Sequence, residues 1–531
     1  MRASDLLVRC LEAEGVRRVF GIPGEENLDV MDSIKDSSIE FVLTRNENSA
    51  AFIAGTCGRL TGQAHVCLST LGPGATNMMT GVAEAFLSYV PLVAITGQVG
   101  ADQAFAPRKQ FIDLVQMYRP VTKDSFSVRS PARIPAQVRR AFHVAMEEKP
   151  GPVMMELPED VMKSQTDGRP LRRPATHHVG CDPEALGKVR ELIKGSRRPL
   201  IMAGPGAIRA QATQELRSLA RAWTIPVAHT WHGAGIMPYD DALSLNTVGL
   251  RGKDHVRKLF EEMDLVLLVG YDLPEFMPSY WNIGAPKRIV SIDQAPMDAV
   301  PHLEIDVQLI GRMPDVLGKL SVDGVRKANW ALGHREDLDA CLDGCPADEG
   351  LVKPQLAVKA LRRALGREDI CTSDVGAHLI WLAKMYPVYK ENTLLLTNGL
   401  IPMGIGLPSA IGAKLACPGR KVAAVCGDGG FLMTAADLET AKRLGLGLVV
   451  VIFNDQGLGL IKLKHQRAYG RYHGTDFGNP DMARFAESFG ARGYRVSTAE
   501  ELGERLSSSL EAEELAVIDV PIDYEENKGL L

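Results

Sequence analysis

A chain of 531 residues is too long for one hydrophobic core and implies about three domains. Apolar residues make up 45% and charged residues 24%, and a net charge of −5 without a basic cluster long enough to track phosphates argues against a nucleic-acid binder. No run of about 18 apolar residues occurs, and Met1-Arg2-Ala3-Ser4-Asp5 lacks the apolar core of a signal peptide, so a cytoplasmic protein with no membrane partner is expected.

Along the chain, short apolar runs alternate with helical patterns: 66–68, 91–95, 265–269, 422–425 and 448–453. Continuous apolar strands of this kind belong to parallel sheets covered on both faces. Polar, proline-bearing stretches interrupt the pattern at about 164–183 and 333–354 and read as linkers. The expected fold is therefore α/β, with three doubly wound parallel-sheet domains at 1–165, 183–335 and 352–531. The nine cysteines are scattered, several inside apolar runs (Cys67, Cys371, Cys426), which reads as reduced core thiol. Cys341 and Cys345 have no second ligand pair beside them, so no zinc site is expected there.

In the first unit, Pro23 and Gly24 follow the apolar Val19-Phe20, and Glu25 and Glu26 come next. Thr44-Arg45-Asn46-Glu47 opens an alanine-rich helical pattern, and Thr70-Leu71-Gly72-Pro73-Gly74-Ala75-Thr76-Asn77 follows a further strand. In isolation Glu47 is an ordinary first-turn acid favoured by the helix dipole. In the middle unit, Gly204-Pro205-Gly206-Ala207 follows a strand in the manner of a dinucleotide-binding turn, but Arg209 stands at the third glycine position.

The third unit carries the strongest chemical signal. One strand ends in Gly427-Asp428-Gly429-Gly430, and the next ends in Asn454-Asp455-Gln456-Gly457, with 24 residues between Gly429 and Asn454. Adjacent parallel strands deliver both acids to the carboxyl edge, where ligands bind. The glycines let backbone approach a diphosphate, and a helix N-terminus favours its charge. Two carboxylates, a turn carbonyl and diphosphate oxygens form a shell suited to Mg²⁺. A lone Gly-Asp-Gly is more often a plain turn; the second acid at a matching strand end reverses that reading.

This pattern resembles the signature of thiamine-diphosphate-dependent enzymes, Gly-Asp-Gly followed at this distance by Asn-Asn or Asn-Asp. The resemblance covers the whole chain and is nearest to acetolactate synthases of the catabolic type, large-subunit-like, through segments such as Val19-Phe20-Gly21-Ile22-Pro23-Gly24, Arg119-Pro120-Val121-Thr122-Lys123 and Phe485-Ala486-Glu487-Ser488-Phe489-Gly490. It implies a pyrimidine-binding first domain, a central Rossmann-like domain and a diphosphate-binding third domain. Asp428, Asp455 and the Gly457 carbonyl are then the Mg²⁺ ligands, with Asn454 the alternative to Asp455. Glu47 is the glutamate that promotes the imino tautomer of the cofactor's pyrimidine, in a block where Asn46 replaces the usual histidine. Pro23, Gly24, Thr70, Gly74 and Asn77 complete the first-unit half of the site. Gly376, Ala377, His378, Gly427, Gly429 and Gly430 are the diphosphate loops, and Gly399, Leu400, Met403 and Leu458 line the ring, with Met403 as the wedge beneath it. Gln110 is the family glutamine near the substrate.

The implied reaction decarboxylates pyruvate through a carbanion and enamine of the cofactor, then joins the two-carbon unit to a second 2-keto acid. The alternative is a related decarboxylase or lyase acting on another 2-keto acid. Lys464 either pairs with an acceptor carboxylate or is a solvated helix charge, and His465 is expected on the surface. The stretch from Gly270 to Phe276 does not resemble the corresponding segment of flavin-binding synthases, so no FAD is expected. The family places its active sites at a subunit interface, which implies a homodimer or a homotetramer.

Overall fold

The computed structural model describes residues 1–104, 108–173, 180–250, 256–322, 324–344, 346–347 and 349–530. Three six-stranded sheets account for the strands, and every pairing between neighbours is parallel. The first contains β1 (Arg18–Gly21), β2 (Glu40–Leu43), β3 (His65–Ser69), β4 (Leu92–Gln98), β5 (Asp124–Ser127) and β6 (Pro152–Pro158), in the order 2-1-3-4-6-5. The second contains β7 (Pro199–Ala203), β8 (Val227–His229), β9 (Ser244–Thr247), β10 (Leu265–Val269), β11 (Arg288–Asp293) and β12 (Val307–Ile310), in the order 12-11-10-7-8-9. The third contains β13 (Ile370–Ser373), β14 (Leu394–Leu395), β15 (Val422–Gly427), β16 (Val449–Asn454), β17 (Arg492–Arg495) and β18 (Ala516–Pro521), in the order 14-13-15-16-18-17.

Counted within each unit, the first and third sheets share one strand order, whereas the second has the dinucleotide-fold order. The central strands β4, β6, β7 and β10 are buried along their whole length, which is why they read as unbroken apolar runs. In the first sheet the chain turns opposite ways from β1 and β3, and in the third from β13 and β15. Each reversal opens a crevice at the carboxyl ends of those strands.

The first and third units share a continuous core. Helix Glu47–Thr61 packs on helix Gly406–Ala416, joined by Thr56 Oγ1 donating to Ser409 Oγ (3.1 Å) and by the Cys57 thiol donating to the Gly412 carbonyl (3.3 Å). Near the first linker the N-terminus returns to the end of its own unit, with Ala3 N–H donating to the Ser164 carbonyl at 2.8 Å. The second stretch read as a linker differs from expectation. It contains helix Leu332–Asp343, whose Leu338 and Leu342 are buried in the third unit's core. Most of that helix faces solvent, so its composition resembles a linker's. Cys345 lies outside the described residues.

Candidate active site

At the carboxyl edge of the first sheet, Gly24 follows β1 and packs so closely on Thr70, which follows β3, that a Cβ there would collide with the threonine side chain. Thr70 Oγ1 donates to Glu26 Oε2 at 2.7 Å. Glu26 thus lies among the candidate cofactor residues. Asn46 caps helix Glu47–Thr61, its Oδ1 accepting from Asn48 N at 2.8 Å, so the asparagine in the histidine position has a capping role. Glu47 is buried in the first turn, and Asn77 Nδ2 donates to its Oε2 at 3.2 Å. Glu47 Oε1 faces Gly74, where a Cβ would come within 3.1 Å. Gln110 sits in an exposed loop with φ of 64°, its backbone against Gly72.

At the matching edge of the third sheet, Asp428 starts a helix directly after β15 and Asp455 follows β16. Burial raises Asp428 above the usual carboxylate range. Burial, followed by the charge of Asp428, pushes Asp455 up to about 7. A buried and a half-buried acid that resist simultaneous ionisation constitute a half-built cation site. Among the described residues no three His, Cys, Asp or Glu side chains cluster as a closed metal centre; a hard cation here would draw further oxygens from backbone and ligand. Asn479 Nδ2 donates to Asp428 Oδ2 (2.7 Å) and Asn454 Oδ1 (3.0 Å), while Asn454 Nδ2 donates to Asp519 Oδ1 (2.8 Å). Asn454 therefore spends both ends of its amide inside the protein.

Three buried polar atoms around these loops have no hydrogen-bond partner: His378 Nε2, Thr475 Oγ1 and Asn479 Oδ1. Orphaned atoms of this kind cost stability unless a ligand or water meets them. His378 packs against Gly376 and Gly427, and burial lowers it to about 4, so it is a neutral imidazole. Asp374, fully buried, accepts from Gly404 N (3.0 Å) and Gly406 N (3.1 Å), and a Cβ on Gly430 would lie 2.8 Å from its Oδ1. This fixes the turn that brings the Met403 tip over Gly429, where Leu458 also packs. The glycine cradle, the neutral orphaned imidazole and the paired acids suit a diphosphate and its counter-cation.

The structure brings Gly376, His378, Gly427 to Gly430, Met403, Asp455 and Leu458 to one edge, and Gly24, Glu47, Thr70, Gly74 and Asn77 to another. No hydrogen bond or ion pair among the described residues joins the Glu47 group to the Asp428 group within the chain. Leu400 is 42% exposed, and Lys464 is exposed on helix Gly459–Tyr469. Sequence reasoning missed Asn479, which reaches Asp428 from 51 residues away, and gave Asp374 no role of its own, although it holds Gly404 and Gly406 some 30 residues on. In the middle unit, Arg209 Nη2 donates to Glu148 and its Nη1 to Asp272, both at 2.7 Å, and Lys149 Nζ donates to Asp272 at 2.8 Å. This ionic cluster sits beside the close-packed Gly204-Pro205-Gly206 turn.

Comparison with known proteins agrees with the three-domain fold. The chain matches the models for the thiamine pyrophosphate enzyme N-terminal TPP binding domain over residues 1–117, central domain over 186–320 and C-terminal TPP binding domain over 374–520. It is 34% identical to the acetolactate synthase of Bacillus subtilis, covering 100% of this chain and 94% of that protein. It is likewise 34% identical to the catabolic acetolactate synthase of Raoultella terrigena (99% and 96%) and to a probable acetolactate synthase large subunit of Methanocaldococcus jannaschii (98% and 92%). With all three domains matched in order and identity sustained along the full length, this chain belongs to the thiamine pyrophosphate enzymes, within the acetolactate synthase family.

Proposed function

We propose that this protein is an acetolactate synthase-like carboligase that decarboxylates pyruvate and joins the two-carbon unit to a second 2-keto acid. The observation that carries this reading is the presence of two crevices on sheets of identical strand order, one holding Asp428, Asp455 and the orphaned His378, the other holding Glu47. Bound thiamine diphosphate supplies the carbon nucleophile and the electron sink that decarboxylation requires. Asp428, Asp455 and the Gly457 carbonyl hold Mg²⁺; the internal bonding of Asn454 favours Asp455 as the ligand. Gly376, Ala377, His378, Gly427, Gly429 and Gly430 hold the diphosphate. Gly399, Leu400, Met403 and Leu458 support the rings. Glu47 keeps Oε2 on Asn77, which leaves Oε1 to exchange a proton with the cofactor, while Pro23, Gly24, Thr70 and Gly74 shape its surroundings. Gln110 approaches the substrate from its loop.

The two crevices meet across two chains of a homodimer or a tetramer of two dimers, which the lack of bonding between the Glu47 and Asp428 groups in one chain supports. Arg209 stands at the third glycine position of the middle unit's turn and pairs with Asp272 and Glu148, which supports a protein that works without FAD. Domain boundaries near 165–183 and 335–352 fit the sheets, though helix Leu332–Asp343 packs with the third unit. Among the described residues no helix is long and apolar enough to cross a membrane. Free thiols at Cys10, Cys57, Cys67, Cys371 and Cys426 favour a cytoplasmic setting. The test is incubation with pyruvate alone, followed by acid decarboxylation and colorimetric detection of acetoin. Pyruvate consumed with release of free acetaldehyde and no acetoin would overturn the carboligase reading.

A further inference from the structure

We propose that Glu84, a residue of the first unit, is a positioning residue that sets the place of Met403 in the third unit. Glu84 lies in the last turn of helix Gly72–Leu87 and is 7% exposed. Its carboxylate is met by four donors. Ser88 Oγ (2.8 Å) and Thr397 Oγ1 (2.9 Å) donate to Oε1; Leu400 N (2.8 Å) and Ile401 N (3.0 Å) donate to Oε2. Three of these four donors belong to the segment that leads into Met403. A buried carboxylate with all its lone pairs engaged is a rigid anchor, and hydrogen bonds to a charged acceptor are the strong ones.

The anchored segment is held away from its relaxed shape. Ile401 has φ of 59°, a left-handed conformation that a β-branched side chain rarely adopts, and it persists because its N–H and that of Leu400 converge on one carboxylate oxygen. Just before it, Gly399 passes so close to the end of the first unit's helix that a Cβ would lie 2.9 Å from the Leu87 carbonyl carbon. Just after it, Gly404 N and Gly406 N are fixed by Asp374. The segment 397–406 is therefore clamped at one end by Glu84 and at the other by Asp374, with the Met403 tip over Gly429 between them. Glu84 sets this geometry from another unit of the chain without being part of either crevice. The inference rests on Met403 supporting the cofactor ring.

The test compares Glu84→Ala, Glu84→Gln and Met403→Ala with the unmodified protein. Three quantities are measured: hydrogen exchange of the 398–403 amides without cofactor, calorimetric affinity for thiamine diphosphate with Mg²⁺, and kcat and KM for pyruvate. Glu84→Ala is expected to lose protection at 400 and 401 and to drop kcat by about tenfold or more, as displacement of a supporting group does. KM and diphosphate affinity should stay within about threefold, because the metal acids are untouched. Glu84→Gln keeps an acceptor for the two N–H groups and should restore most of the protection and of kcat. Unchanged protection in a folded Glu84→Ala protein overturns the proposal, as does lost protection with unchanged kcat. If Glu84→Ala does not fold, Thr397→Val removes one donor and must reduce protection at 400 and 401. If Met403→Ala leaves kcat unchanged, the reading of Met403 as the ring support fails, and the anchoring by Glu84 is decided by exchange protection alone.

Discussion

Cation binding in the third-unit crevice should be coupled to one proton, and Asp455 should be its source. In the cation-free protein, burial and then the charge of Asp428 hold Asp455 at about 7. A divalent cation takes the carboxylate form, so below about pH 7 each binding event expels a proton. Linkage then makes the affinity at about pH 6 roughly tenfold weaker than its plateau above about pH 8, or about 1.4 kcal/mol. Calorimetric titration of Mg²⁺ with thiamine diphosphate, in buffers of different ionisation enthalpy, counts the protons released. Asp455→Asn keeps an oxygen donor and removes the titrating group, so its affinity should vary less with pH. The cofactor's own titration is common to both proteins, and the difference between their slopes is the measurement. Equal slopes would refute the reasoning. The same shift acts on folding. Between the ordinary value of 3.8 and about 7 the folded state binds more protons than the unfolded one, so this contribution to stability is complete below the lower value and is lost as pH rises through the upper. Asp455→Asn should abolish that loss in metal-free thermal melts.

Glu47→Gln should lower turnover by at least about a hundredfold with an unchanged melting temperature; cofactor C2-proton exchange at the unmodified rate would show that Glu47 does not drive it. Glu47→Gln and Asp428→Ala chains refolded together in equal amounts should form mixed dimers as about half of the total, each with one intact site, restoring about a quarter of the original activity. Mixed dimers without activity would mean that each chain builds its own site. Purified protein should be colourless after dialysis, and a retained flavin absorption band would contradict the flavin-free reading of the Arg209 cluster.

What could be read in the sequence was what local chemistry writes there. Strands such as β10 and β16 are buried on both faces and appear as unbroken apolar runs; the strand-end turns carry glycine and aspartate because backbone approach and charge are both needed. Asp428 and Asp455 were legible for that reason, and Glu47 through the block that surrounds it. Asn479 was not: it reaches Asp428 across 51 residues, and no local pattern distinguishes it from any polar residue before a proline. Glu84 was hidden more deeply, since its partners Thr397, Leu400 and Ile401 lie in another unit and its own position is an ordinary helical one. Helix Leu332–Asp343 reads as a linker in the sequence because only a narrow apolar face is buried, too little for a periodic signal.

The shared strand order of the first and third sheets bears on how such a site is assembled. Each sheet has one crevice, and the two have opposite chemistry: raised acids that want a cation in one, a glutamate held by an amide in the other. A ligand with an anionic end and a basic ring is complementary to the pair and to neither alone. Within one chain the two sheets are locked by the Thr56–Ser409 and Cys57–Gly412 contacts, by Arg45 N–H donating to Asp437 Oδ1 at 3.0 Å, and by Glu84. That lock sets the crevices at a fixed spacing. A second copy related by a two-fold axis can place its first crevice against this chain's third, and symmetry supplies the reciprocal pairing at no further cost in design. On the proposed assembly, the same contacts that stabilise one chain also connect one cofactor site with the other. Substitutions at the Thr56–Ser409 contact should therefore be read for their effect on both sites of the dimer.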